Sequence, residues 1–113
     1  GECFVLRCLA RSPKPLLPSD LSAMTQSSTA RIAVVLNTLE KKGYITRAID
    51  PADRRRVLVS LTSVGAEYVR SIRQQLRQRM QRLLAELGEA DAEEYLRITE
   101  RILSITQHMA QER

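Results

Sequence analysis

With 113 residues, the chain has room for one modest hydrophobic core and little more. Aromatic residues make up only 4% and there is no Trp, so the core must be built from Leu, Ile, Val and Ala, which favours helices over a β-sandwich. A net charge of +5 points to anionic partners. No apolar run approaches the ~20 residues of a bilayer span and no secretory leader opens the chain, so the expectation is a cytoplasmic protein with no membrane partner.

Residues 2–10 read as a helix with Phe4, Val5, Leu6 and Leu9 apolar. Cys3 and Cys8 lie five apart on different helical faces, which rules out a local disulfide. No CxxC or Cys/His spacing suggests a metal, so both cysteines are expected to be reduced, partly buried small hydrophobes rather than redox sensors. Arg11-Ser12-Pro13-Lys14-Pro15 ends the helix, since two prolines so close cannot sit in a helix interior. Leu16 and Leu17 suit a very short strand leaning on a later hairpin. Pro18 suits the first position of a second helix, with Ser19 and Asp20 in its first turn. That helix should run to about Met24 and bury Leu21 and Met24. Thr25-Gln26-Ser27 is the turn that follows.

The stretch from Ser27 to Thr62 organises the rest. Ser28 is placed as the N-cap of a third helix, in which Ile32, Val35, Leu36 and Leu39 recur at three and four residues and share a face. Ala30, Val34, Asn37 and Lys41 fall opposite, free to touch something else. Gly43 can end the helix in a left-handed conformation. Ile45 to Ile49 and Val57 to Leu61 are rich in β-branched residues and read as strands. Between them lies Asp50-Pro51-Ala52-Asp53-Arg54-Arg55-Arg56, a proline turn with three consecutive arginines. Thr62 can cap a long helix from Ser63 to Leu87, with Gly65 allowing close backbone approach in its first turn. Val64, Tyr68, Ile72, Leu76, Leu83 and Leu87 give it an apolar stripe; Arg70, Arg73, Arg77, Arg79 and Arg82 occupy its other faces. Gly88 stops it, and Glu89 or Asp91 opens a last helix. Tyr95, Leu96, Ile98, Ile102, Leu103, Ile105 and Met109 place apolar side chains on more than one face there, which argues for burial against a second copy of the chain. His108 suits solvent or a subunit contact better than catalysis. Charge follows the same plan: residues 27–62 hold seven Lys/Arg against three Asp/Glu (+4), whereas residues 88–113 hold three against six (−3).

A helix followed by a basic β-hairpin is the pattern of a winged helix-turn-helix. LEKKGYITR, then DPADRRRVLVSLT and the trailing SVG, resembles the MarR family of bacterial transcriptional regulators, most densely from Leu39 to Gly65. The expected fold is therefore mainly α with a small β-hairpin wing: a winged helix-turn-helix followed by long C-terminal dimerisation helices. Residues 1–62 would form the DNA-binding region and 63–113 the dimerisation region, within one compact domain overall. The family's further N-terminal helix is expected to be absent from this chain, which opens inside the second. The resemblance implies a homodimer on pseudo-palindromic double-stranded DNA, acting as a repressor. It also implies release by a small anionic or aromatic effector.

In such a protein the third helix enters the major groove. Arg31 can pair with guanine, Asn37 with adenine, and Ala30, Ala33 and Val34 can meet thymine methyls, while Ser28 and Thr29 suit phosphates. That face is short of hydrogen-bonding residues, so readout should depend on the wing. Asp53-x-Arg55 resembles the family pair in which an aspartate steadies an arginine entering the minor groove, leaving Arg54 and Arg56 for phosphates. Ile98, Ile102, Ile105 and Met109 are the expected centre of the dimer contact. No Ser/His/Asp or Cys/His arrangement, phosphate-binding glycine loop or paired acids suggests an enzyme, and no cofactor is implied. The alternative is a winged helix that docks an acidic protein on its basic face.

Overall fold

The computed structural model describes residues 1–112 of the chain. Helices α1 (Glu2–Arg11), α2 (Pro18–Thr25) and α3 (Thr29–Lys41) precede strands β1 (Ile45–Ile49) and β2 (Val57–Leu61), then helices α4 (Ser63–Leu87) and α5 (Glu89–Gln111). The chain divides into two compact units, one ending at Arg73 and one beginning at Gln74. The fold is a mainly helical winged helix with a two-stranded antiparallel wing, as the sequence led us to expect.

In the first unit one apolar core joins the elements. Val5, Leu6 and Leu9 of α1, Leu21 of α2, Ile32, Leu36 and Leu39 of α3, Ile45 and Val59 of the hairpin and Val69 of α4 are all buried. Burying a Leu or Ile side chain contributes about 1.5–3 kcal/mol, whereas an exposed ion pair contributes roughly 0–1 kcal/mol. This core therefore holds the helices in place, and the exposed Lys42–Glu2 pair between α3 and α1 only supplements it. Two expectations fail, for Met24 and Cys3, and Phe4 is exposed as well. Met24 is 48% exposed, because Leu21 alone fills the inward position of the short α2. Phe4 is also exposed, its ring 5.3 Å from the Arg7 guanidinium carbon. Cys8 is buried but Cys3 is exposed, since a residue five positions earlier turns to the other side of α1.

The turns follow from local chemistry. Asp20 accepts a hydrogen bond from the Leu17 amide at 3.0 Å, tying down the start of α2 behind Pro18. Gln26 adopts a left-handed conformation (φ 54°), and the Ser27 amide donates back to the Ser22 carbonyl, closing the tight turn between α2 and α3. Ser28 caps α3 by accepting from the Arg31 amide at 3.2 Å. At the other end Gly43 (φ 81°) allows its own amide to reach the Glu40 carbonyl and the Tyr44 amide to reach Leu39, a Schellman ending. Leu16, without Leu17, bridges to Val59 and adds a single residue to the hairpin.

Thr62 accepts from the Gly65 amide at 2.9 Å and donates to the Gly43 carbonyl, capping α4 while fastening it to the end of α3. Gly65 packs against the Tyr44 backbone so closely that a Cβ would overlap the Tyr44 carbonyl. The Tyr44 and Tyr68 rings stack there, 4.5 Å between centroids. The inward line of α4 in this unit is thus Gly65 and Val69, one position from the Val64–Tyr68 line expected from periodicity, and Val64 is exposed.

In the second unit Gly88 (φ 89°) separates the helices. Helix α5 buries none of its side chains. Leu76, Leu83 and Leu87 of α4 are exposed, as are Tyr95, Leu96, Ile98, Ile102, Leu103, Ile105 and Met109 of α5.

Candidate nucleic-acid interface

Every residue of α3 and its N-cap expected to face the groove is exposed: Ser28, Thr29, Ala30, Arg31, Ala33, Val34 and Asn37. Val34, at 65%, is among the most exposed apolar residues of the chain. A valine so uncovered on a helix whose other face buries Ile32, Leu36 and Leu39 leaves α3 with a continuous smooth stripe of Ala30, Ala33 and Val34. Arg31 sits apart from that stripe. About 100° per residue carries it round α3, and it lines a cleft of about 300 Å³ with Phe4, Val5, Thr25, Ile32 and Val35.

The wing is two consecutive β-turns built by two aspartates. The Asp53 amide donates to the Asp50 carbonyl and the Arg56 amide to the Asp53 carbonyl, while Asp50 and Arg56 close the hairpin. Each aspartate also accepts, through its side chain, the amide two residues on: Ala52 at 2.9 Å and Arg55 at 3.1 Å. Aspartate at the first turn position and Pro51 at the second are the residues such turns favour. The three arginines then differ. Arg55 donates through Nε to Asp53 Oδ1 at 3.2 Å and through Nη2 to Oδ2 at 3.4 Å, with its own side chain 91% exposed. Arg56 Nε lies 3.7 Å from Asp50 Oδ2. Arg54 forms no ion pair among the described residues. Donation by the Arg55 side chain and amide holds the Asp53 carboxyl below its ordinary value of 3.8.

A second cluster escaped the sequence reading. Arg47 on β1 reaches α3, donating to both Glu40 oxygens at 2.8 and 3.3 Å and, through Nη2, to Asn37 Oδ1 at 2.8 Å. Hydrogen bonding from Arg47 lowers the Glu40 carboxyl's pKa. The signal was present: Arg47 is two residues from buried Ile45, hence on the same side of β1, and Asn37 and Glu40 are one helical turn apart. Ile98, Ile102, Ile105 and Met109 lie outside this unit, all exposed on α5. No helix among the described residues is long and apolar enough to cross a membrane.

Comparison with known proteins agrees with this geometry. A family model described as "MarR family" matches residues 2–56, from the first helix through the arginine turn. The transcriptional repressor MprA of Escherichia coli K12 is 30% identical over 95 residues, 84% of this chain and 54% of that protein. The chain belongs to the MarR family. The uncharacterized HTH-type transcriptional regulator YdcH of Bacillus subtilis is 45% identical over 49 residues, 43% of the chain and 33% of its own length. A mutant of MepR from Staphylococcus aureus, solved bound to an oligodeoxyribonucleotide, superposes with a TM-score of 0.74 at 25% identity. That match covers 93% of this chain and 77% of the MepR chain. The chain thus spans between a third and about half the length of these curated relatives. Both of these relatives carry the name of a transcriptional regulator or repressor.

Proposed function

We propose that the protein binds double-stranded DNA as a homodimer and represses transcription from pseudo-palindromic sites. Residues 1–62 contact the duplex and residues 63–113 pair the protomers. The observation that carries this reading is the pairing of an uncovered α3 face with a wing on which the 91%-exposed Arg55 is held by Asp53. Ala30, Ala33, Val34 and Asn37 enter the major groove, where apolar contacts dominate, and Ser28 and Thr29 at the start of α3 meet phosphates. Arg31, at the edge of its cleft, pairs with guanine where the groove passes the start of α3. Arg55 enters the adjacent minor groove, and Arg54 and Arg56 neutralise phosphates. The DNA-bound MepR neighbour supports the same use of the fold. A small anionic or aromatic effector that binds the dimer and changes the spacing of its two α3 helices would shift the DNA-competent population.

The test is a gel shift with random-sequence duplexes across a salt series, followed by selection of binding sites. Binding that weakens steeply with salt, and selected sites with two-fold symmetry, are expected. No duplex binding at low salt would instead favour a protein-docking use of the basic face. DNA affinity measured against a panel of phenolic acids tests the effector.

A further inference from the structure

We infer that Arg47 is a specificity-positioning residue: by fixing the side-chain oxygen of Asn37 against β1, it makes Asn37 present its NH2 group to DNA as a donor, selecting guanine rather than adenine. The inference rests on the DNA-binding reading above and refines its treatment of Asn37. A free asparagine on a groove-facing helix can turn its amide either way, and with oxygen and nitrogen both facing a base it pairs bidentately with adenine. Here that freedom is removed. A guanidinium has donors only, so whichever amide atom lies 2.8 Å from Arg47 Nη2 must be the oxygen. The nitrogen is thereby directed away from β1, on an exposed part of α3 between Ala33 and Lys41.

Arg47 is itself held. Glu40 takes its Nε and Nη2 in a two-point fork, and Arg47 is the least exposed arginine in an ion pair, at 29%. A planar guanidinium anchored at two points has little rotational freedom left, so its bond to Asn37 has a defined direction. Guanine offers two acceptors, N7 and O6, to a lone donor in the major groove, whereas adenine offers one acceptor beside a donor that the fixed NH2 opposes. Glu40 and Arg47 thus act on the base only through Asn37.

Binding-site selection with the full-length protein and its Asn37→Asp, Asn37→Ala and Arg47→Lys variants tests this. The parent is expected to favour guanine over adenine by about tenfold at one position in each half-site. Asn37→Asp keeps an oxygen on Arg47 and turns a second oxygen outward, so the preference there should move to cytosine, whose N4 donates. Asn37→Ala should erase preference at that position alone. Arg47→Lys can keep the Glu40 ion pair but loses the fork, and should restore adenine to parity with guanine while its melting temperature stays near the parent's. A merely structural role for Arg47 would weaken every duplex equally, without changing the base profile, and would overturn the inference. Adenine preference in the parent overturns it too. A parent that binds no duplex removes the DNA reading and this refinement together, whereas duplex binding with one profile in all four proteins removes the refinement alone. Asn37 lies exposed on α3, so its two variants keep the test open if Arg47→Lys fails to fold.

Discussion

Arg55 shows how little energy and how much direction a surface ion pair carries. At 91% exposure its pairing with Asp53 contributes next to nothing to folding, but it limits where the guanidinium can point before DNA arrives. Arg55→Ala is expected to weaken binding by about 1–3 kcal/mol and to relax preference at A·T positions flanking the α3 contacts. Asp53→Ala should do the same more mildly, since the charge remains and only its orientation is lost. Arg54→Ala and Arg56→Ala should instead weaken all duplexes alike and lower the salt slope by about one unit per phosphate contact, doubled in a symmetric dimer. Equal binding of every duplex by Arg55→Ala and the parent would remove Arg55 from the minor groove. The Asp53 carboxyl is more acidic in the folded wing, so its contribution is complete above its unfolded value of 3.8. It is lost only as pH falls through the lower folded value. The brace is therefore intact through the whole neutral range.

Among the elements, α4 depends on one glycine. A Cβ at position 65 would overlap the carbonyl of Tyr44, a backbone atom with no freedom to move aside. Gly65→Ala must therefore push α4 off the hairpin, unstack Tyr44 from Tyr68 and strain the Thr62 cap. Overpacking of this kind costs about 1–3 kcal/mol, which thermal melting would register as a clear drop. An unchanged melting temperature would mean that α4 can slide without loss. The need for close approach at Gly65 was legible in the sequence, as were the strand limits, the Ser28 and Thr62 caps and the glycine stop at Gly43, because each is set by a few neighbouring residues. What failed depended on packing partners. Periodicity gives α4 a Val64–Tyr68 stripe, but the side facing the core is chosen by Tyr44, which selects Gly65 and Val69. Met24 matches the spacing of a buried residue on a helix too short to bury two. The Arg47 cluster joins residues seven and ten apart across a helix end and a turn; strand alternation and helical spacing put each on a readable side, but their meeting depends on how β1 packs on α3. For α3 the outward stripe was readable, while the separation of Arg31 toward the cleft needed α1 in place.

At the scale of the whole molecule, the apolar surface of α5 sets the terms of assembly. Ile98, Ile102, Ile105 and Met109 are 45–60% exposed, so covering each completely would contribute roughly 1 kcal/mol. Two copies of these four would supply roughly 8 kcal/mol, inside the ~4–15 kcal/mol that association costs in lost freedom. The four alone therefore make a weak dimer at best. A stable one must also cover Tyr95, Leu96 and Leu103 and the exposed Leu76, Leu83 and Leu87 of α4. This decides what mutation should do. A double substitution of Ile98 and Ile102 to Glu places like charges at the proposed two-fold contact, and sedimentation of the full-length protein should pass from dimer to monomer. Leu83→Ala should loosen the dimer measurably, because the contact has little energy to spare. The double mutant should still melt near the parent's first-unit transition, since neither residue contributes to the core of that unit. On DNA the monomer should bind single half-sites but lose the gain from two sites spaced about one helical turn, roughly 34 Å, apart. Were the parent itself a monomer at micromolar concentration, or the double mutant an undiminished dimer, α5 would not be the surface through which two copies meet.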